Sequence, residues 1–175
     1  PIYKSRHAGA NPEAAQETPV PQSEKYSWDW FQQPDAQPVE GQAHIELTTA
    51  ERPLMLTESE NEEKPYVWSI LLFAQETNGV SFTMEKVTEV FFNNEKLPMQ
   101  TAEMTANEIE WYWYSTRLEA GGITSYATDR PADGGIGYGV AVEGKDDNGN
   151  ELTFKLYIPF SSEIKPELTP EDFTG

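Results

Sequence analysis

The sequence predicts an all-β domain, and three features support this fold class. Extended segments with alternating apolar and polar residues recur about every 8–12 residues, separated by turns rich in Gly, Asn and Pro. Helical periodicity is almost absent from the chain. The last two extended segments alternate most regularly, and they flank a turn at Asn148-Gly149. Together these features favour a β-sandwich or a β-barrel.

The N-terminal part, residues 1–42, is predicted to be a flexible tether. It is rich in Pro, Gln, Ala and Glu, so it cannot bury enough apolar surface to offset the entropy of ordering. Within it lies YSWDWF at 26–31, in which Tyr26, Trp28 and Trp30 occupy alternate positions. This spacing predicts a short strand or clamp that packs on the domain, and an exposed aromatic platform is the alternative.

The domain itself is predicted to span residues 43–160. It begins with HIELTT at 44–49, whose weak alternation fits an edge strand. After an acidic loop, the near-continuous apolar run YVWSILLFAQ at 66–75 predicts a buried central strand. Thr77-Asn78-Gly79 predicts a turn, and a further alternating segment follows it.

The segment TANEIEWYWY, residues 105–114, carries two conflicting signals. Thr105 followed by Glu108 is a capping-box pattern, which predicts a helical turn at 105–109. The aromatic run that follows favours a strand instead. We therefore expect the helical turn to lead into an extended segment.

The last predicted hairpin has two different faces. Large apolar side chains occupy one face of its first strand, whereas the other face carries small residues. The large residues are Ile136, Tyr138, Val140 and Val142, and the small ones are Gly137, Gly139 and Ala141. The glycines leave a shallow groove, which we expect a neighbouring aromatic side chain to fill. The alternative is a ligand that approaches the backbone there.

Composition narrows the partners and the chemistry. The chain has 30 acidic and 12 basic residues and a formal net charge of −18, which argues against sequence-independent binding to nucleic acid or anionic lipid. The acidity is compatible with solubility, with divalent cations or with a basic partner. The chain has no cysteine, which excludes disulfides and sulfur-based zinc sites. No apolar run has the length of a membrane span, and we expect any signal peptide or anchor to precede Pro1.

Three stretches carry a resemblance to a known family. They supply a strand hairpin, an L-x-x-G bend and a V-x-G-x-D-x-x-G-N hairpin, and they read FTMEKVTEVFFNNEKL, EIEWYWYSTRLEAGGITSY and GYGVAVEGKDDNGNELTFKLYIPF. Over about residues 66–160 the chain resembles the immunoglobulin-like modules of bacterial secreted and membrane-anchored surface proteins. The resemblance implies an immunoglobulin-like antiparallel β-sandwich with an extended N-terminal segment, followed by a C-terminal tail at 161–175. Such modules serve as stalks, adhesins, sensors or carbohydrate-binding appendages.

Catalytic motifs are sparse in this sequence. The chain has two histidines, no Gly-x-Ser-x-Gly elbow and no Gly-x-x-x-x-Gly-Lys-Ser/Thr phosphate loop, so we expect no enzymatic activity. A hydrolase that uses two carboxylates is the remaining catalytic alternative. Glu89 on a predicted strand and Glu110 beside the aromatic run are the first candidates for that pair.

The sharpest functional signal is aromatic. Four consecutive aromatic residues end the segment 105–114, and alternation on a strand would turn two of them outward. Exposed Trp and Tyr rings stack on sugar rings and on prolines, which suggests a glycan or a protein as the ligand. The predicted binding residues are Trp111, Tyr112, Trp113 and Tyr114, together with Trp28 and Trp30. The alternative is that the outward pair packs beneath residues 26–31.

The acidic turn that begins at Asp146 is the candidate metal site. Asp146, Asp147 and Asn150 offer the oxygen ligands that calcium prefers. The spacing of an EF-hand is not matched, because Gly149 falls at the fourth position of the loop rather than at the sixth. Asn148-Gly149 fits a hairpin turn better, so calcium is the weaker interpretation and no other cofactor is expected.

Three functional hypotheses follow. The first is a non-enzymatic, monomeric module of a bacterial protein that is secreted or held at the cell surface by a lipid or membrane anchor outside this sequence. Its role would be binding, sensing or spacing. The second is a carbohydrate-binding or accessory module of a secreted enzyme, which predicts an exposed aromatic face. The third is a carboxylate-based hydrolase, which predicts a deep cleft lined by two acids.

Overall fold

The computed structural model describes residues 24–166, and this part of the chain is mostly β-strand. The prediction of an all-β domain is therefore confirmed. Two short helices accompany the strands: α1 (Trp28–Gln32) and α2 (Ala106–Tyr112). The strands are β1 (Ile45–Thr49), β2 (Leu54–Glu58), β3 (Tyr66–Glu76), β4 (Phe82–Phe92), β5 (Pro98–Met104), β6 (Arg117–Leu118), β7 (Ile123–Pro131), β8 (Gly137–Asp146) and β9 (Glu151–Ile164).

The strands form one mixed sheet. Its order is β1-β3-β2-β9-β8-β4-β5, while β6 pairs with β4 and β7 pairs with β3. The expectation of a wholly antiparallel sheet is wrong at one place, because β2 runs parallel to β9, with Leu54 opposite Phe160. The other pairings within residues 24–166 are antiparallel.

The sheet curls around one main core. Strand β3 is not hydrogen-bonded to β4 or β8, yet all three strands bury alternate side chains in the same apolar cluster. These side chains include Trp68, Ile70 and Leu72 from β3, Phe82 and Met84 from β4, and Tyr138, Val140 and Val142 from β8. Trp68 also stacks on Phe160 of β9, with ring centroids 4.1 Å apart. The apolar run at 66–75 is thus a central strand, as predicted.

The glycine-lined groove of β8 is filled by aromatic side chains of the same chain, as predicted. The Tyr157 ring covers Gly137 and the Phe31 ring covers Gly139, so closely that a Cβ atom at Gly139 would lie 2.6 Å from Phe31. Phe31 thereby joins a second apolar cluster on the opposite face of β8, together with Phe92. Both faces of this strand are therefore covered, and a single outward face was the wrong expectation for it.

Residues 26–31 pack on the domain as predicted, but as a helix rather than a strand. The Ser27 hydroxyl accepts a hydrogen bond from the Trp30 N–H at 3.1 Å, which caps the first turn of α1. Ahead of the helix, the Tyr26 hydroxyl and the Lys25 ammonium both donate to Glu143 of β8. Residues 1–23 of the predicted tether and 167–175 of the predicted tail lie outside the described residues, and 161–164 extend β9.

Two buried carboxylates hold the turns at one end of the sheet. Glu76 accepts hydrogen bonds from the backbone N–H groups of His44, Asn78, Gly79 and Gly121, at 2.7–3.1 Å. Burial alone would raise the pKa of Glu76, but these four hydrogen bonds outweigh it and lower the pKa below its ordinary value.

Asp146 performs the same role for the preceding residue of the chain. Its carboxylate accepts from the backbone N–H groups of Ala43, Asn148 and Asn150, at 2.9–3.0 Å, and from the Asn150 side-chain amide. Burial would raise the pKa of Asp146, and these hydrogen bonds lower it instead. Because Ala43 and His44 are adjacent, the two carboxylates together fix the start of β1 against two hairpin turns.

This arrangement predicts a loss of stability in acid. Because the folded-state pKa values of Glu76 and Asp146 are lowered, their contribution is complete above the unfolded values, near 4.5 and 3.8, and is lost as pH falls through the folded values. Glu76→Gln should reduce the free energy of unfolding at neutral pH by about 2–4 kcal/mol. It should also flatten the fall of the unfolding midpoint between about pH 5 and pH 3.

Chemical denaturation of both proteins across this pH range measures the effect. The matched control is Glu46→Gln, which removes an exposed carboxylate from β1 and should change little. An unchanged pH profile in Glu76→Gln would show that the buried carboxylate is not what stabilises the turns.

Candidate functional site

Helix α2 is anchored by two buried side chains. Ile109 and Trp113 lie four residues apart, on one face of the helix, and both are fully buried. The Trp113 ring stacks on Tyr126 of β7, with centroids 5.1 Å apart and an interplanar angle of 17°. The Thr124 hydroxyl donates to the Trp113 carbonyl oxygen. The end of α2 is therefore fixed to β7 by both packing and hydrogen bonding.

The other three aromatic residues point outward. Trp111 is 77% exposed, Tyr114 76% and Tyr112 48%. We call these three residues the aromatic ledge. The predicted helical turn at 105–109 exists, and Glu108 accepts hydrogen bonds from Thr105 as a capping box requires, but the helix continues to Tyr112. Helical spacing therefore replaces the predicted alternation, which turns three aromatics outward and removes Trp113 from the predicted platform.

Tyr114 adopts an unusual backbone conformation. It directly follows the C-cap residue of α2 and has φ of 69°, in the left-handed region. Glycine is the usual residue at this position, since a side chain there costs about 1 kcal/mol or more. The chain therefore keeps a large exposed aromatic at a position where backbone energy favours glycine. Such local strain at an exposed residue is a recognised mark of functional sites.

A cavity of about 180 Å³ adjoins the ledge. Tyr112 forms part of its wall, and the cavity opens between the unpaired edges of β5 and β7. Its polar lining comes chiefly from Glu89 of β4 and Arg130 of β7, with Tyr126 and Thr128 beside them. We call this cavity the Glu89 pocket.

Glu89 is only 1% exposed and has two partners. The Tyr138 hydroxyl donates to its carboxylate at 2.7 Å, and Arg130 approaches it at 3.4 Å. Burial, together with the nearby Glu89 charge, raises the pKa of Tyr138 well above its ordinary value. Burial and the same charge raise the pKa of Tyr126 to about 12. Both phenols therefore stay protonated at neutral pH and are available as hydrogen-bond donors.

The pocket offers both hydrogen-bond donors and acceptors. The Arg130 Nε atom is buried and has no hydrogen-bond partner, so its N–H is a free donor. The Glu89 oxygen facing Arg130 is held only at 3.4 Å, which leaves it capacity to accept another hydrogen bond. A ligand with hydroxyl groups can satisfy both atoms, because a hydroxyl both donates and accepts.

Trp28 and Trp30 lie elsewhere on the molecule. Both are half-buried against the second apolar cluster, and the Trp28 indole N–H donates to the Tyr157 hydroxyl at 3.1 Å. Within residues 24–166 no aromatic contact joins them to the ledge. The structure therefore does not bring the six predicted binding residues together, and residues 26–31 do not cover the ledge.

The three predicted calcium ligands have partners within the protein. Asp146 holds the turn as described above, and the Asn150 amide donates to it. Asp147 pairs with the Arg117 guanidinium through two hydrogen bonds of 2.7 and 3.0 Å. In the part of the chain that the structure describes, no group of three His, Cys, Asp or Glu side chains is arranged to hold a metal ion. Calcium binding at this turn stays a prediction.

The two candidate catalytic acids occupy different environments. Glu89 is buried, whereas Glu110 is exposed on α2, accepts from the Thr116 N–H at 2.9 Å and does not line the Glu89 pocket. Tyr126, Arg130 and Tyr138 were missed from the sequence as site residues. An isolated Arg in the strand that follows the aromatic helix was the available signal for one of them.

Comparison with known proteins gives little beyond the fold. No family model matches the sequence, and no curated protein matches it. The "Putative ApaA Protein" of Bordetella pertussis is 11% identical, with a TM-score of 0.49 over 70% of this chain and 98% of that chain. The structural genomics target SoR45 is 11% identical, with a TM-score of 0.47 over 71% and 90%. No helix within residues 24–166 is long and apolar enough to cross a membrane.

The strained conformation of Tyr114 leads to a stability prediction. Tyr114→Gly should raise the free energy of unfolding by about 1 kcal/mol, because glycine adopts the left-handed conformation without a Cβ clash. The matched control is Tyr112→Gly, which places glycine inside α2 and should lower stability by about 1 kcal/mol. Thermal unfolding of the three proteins measures both effects. A Tyr114→Gly variant that is less stable than the parent protein would contradict the strain.

Proposed function

We propose that this chain is a non-enzymatic binding module whose ligand is a glycan that stacks on the aromatic ledge. The observation that carries the proposal is the exposure of Trp111, Tyr112 and Tyr114 on a helix end that is anchored by Trp113. An exposed apolar group of this size is uncommon on a monomer without a binding role. The fixed backbone places the rings before the ligand arrives, which lowers the entropic cost of binding.

The surroundings of the ledge favour a sugar over an apolar protein surface. Glu108 and Glu110 belong to the same helix, and their exposed carboxylates can accept hydrogen bonds from hydroxyl groups. The Glu89 pocket beside Tyr112 supplies further polar groups. Aromatic rings flanked by a few placed polar groups are the usual composition of a small-molecule site.

The wider setting forms part of the same proposal. We take the fold to be an immunoglobulin-like sandwich, in which β7, β3 and β1 face β5, β4, β8 and β9 across the main core. The module would act as a monomer in an exported or surface-anchored protein, with any anchor outside this sequence. Its acidic surface, with a formal charge of −18 for the whole chain, suits a neutral ligand.

Binding of soluble neutral oligosaccharides tests the proposal. Isothermal titration of the protein with cello-, xylo-, manno- and chito-oligosaccharides should identify at least one ligand. Trp111→Ala should then weaken that affinity about tenfold or more, which corresponds to ~1.4 kcal/mol, because the stacking surface is lost. Stability should change by less than about 0.5 kcal/mol, since Trp111 is exposed.

The matched control is Leu97→Ala, which removes an exposed apolar side chain from the turn between β4 and β5. It should leave the affinity unchanged. If no oligosaccharide binds, or if Trp111→Ala binds as tightly as the parent, the proposal fails. Release of reducing ends from a bound oligosaccharide would replace the binding module with the carboxylate hydrolase.

A further inference from the structure

We infer that the Glu89 pocket receives the terminal ring of a neutral glycan, so that the module recognises chain ends rather than chain interiors. The inference rests on the proposed function, because it assigns the neighbouring rings of the same glycan to the aromatic ledge. Tyr112 connects the two regions, since it belongs to the ledge and also lines the pocket. A chain lying on the ledge can therefore place its last ring in the pocket without a gap.

The size of the pocket limits what can enter it. A volume of about 180 Å³ corresponds to about six water molecules at ~30 Å³ each, which is room for one sugar ring and not for two. Tyr126 is buried at its inner side and stacks on Trp113, so the pocket is closed there. A ring that enters must therefore be the end of its chain.

The polar groups of the pocket match a ring that carries hydroxyl groups. The buried Arg130 Nε lacks an acceptor, and the Glu89 carboxylate retains acceptor capacity next to it. Leaving a buried donor unsatisfied costs about 1–3 kcal/mol, which a ligand hydroxyl would recover. Adjacent hydroxyls on a sugar ring are spaced so that one can accept from Arg130 while its neighbour donates to Glu89.

The charge of the pocket selects against anionic rings. Glu89 and Glu108 line it together with a third acid, Glu103, and Arg130 is the one cation in its lining. Arg130 is already engaged by Glu89. A uronic acid at the chain end would place another carboxylate among these acids, whereas a neutral ring would not. The terminal ring is therefore expected to be neutral.

Two kinds of ligand separate end recognition from binding along the chain. The probes are a linear neutral oligosaccharide that binds the protein, and a cyclic oligosaccharide of the same sugar and linkage, which has no end. The linear probe should bind at least about tenfold more tightly, a difference of ~1.4 kcal/mol. Oxidation of the terminal ring of the linear probe to a uronic acid should weaken its binding to a similar extent.

Two variants place the effect in the pocket. Ala102→Leu adds volume from β5 to the pocket and should weaken the linear probe about tenfold. The matched control is Thr101→Leu, whose side chain lies on the opposite face of the same strand and should have no effect. Glu89→Gln keeps the shape of the side chain but removes its charge, and it should weaken binding similarly. Unfolding midpoints of all three variants identify any that fail to fold.

The outcomes distinguish the inference from the proposed function. If the cyclic probe binds as tightly as the linear one, or if folded Ala102→Leu and Glu89→Gln both retain full affinity while Trp111→Ala loses it, end recognition is wrong and the ledge remains the binding site. If neither probe binds the parent protein, both are wrong. Selective loss of the linear probe in the pocket variants supports the inference.

Discussion

The stacking of Trp113 on Tyr126 determines the position of every other group at the site. This contact, with Ile109 one turn earlier, inserts one face of α2 into the main core. Because the helix then has a single possible rotation, Trp111 and Tyr112 must lie on its outer side. Tyr126 also closes the inner side of the Glu89 pocket. One buried aromatic pair thus sets both the exposed ledge and the depth of the pocket beside it.

The acidic residues divide into structural and exposed groups. Glu76 and Asp146 are buried, and backbone N–H groups surround their carboxylates, so both serve as caps for turns. These caps stabilise the end of the sheet near β1 without occupying any pocket. Glu89 differs because Tyr138 and Arg130 leave part of its hydrogen-bonding capacity unused. Burial of a carboxylate is therefore not by itself a sign of function in this protein, whereas incomplete satisfaction is.

The strands and the filled groove could be predicted, because period-two alternation and paired glycines are local signals. The helical state of residues 26–31 was missed because their aromatic alternation outweighed the N-cap at Ser27. Alternation also hid the length of α2. The pocket could not be predicted, since Glu89 and Arg130 are 41 positions apart and meet only through the curvature of the sheet. Sequence periodicity gives the face on which a side chain lies, but not which strand edges approach each other.

The central claim is that ligand binding occurs at the ledge and not at the other aromatic cluster. The chain has five tryptophans, so a proton–nitrogen correlation spectrum reports five indole N–H groups, each assigned by substitution. On addition of a neutral oligosaccharide that binds, the account predicts that the Trp111 indole signal shifts most while those of Trp28, Trp30 and Trp68 stay in place. A shift at Trp28 or Trp30 with Trp111 unchanged would contradict it.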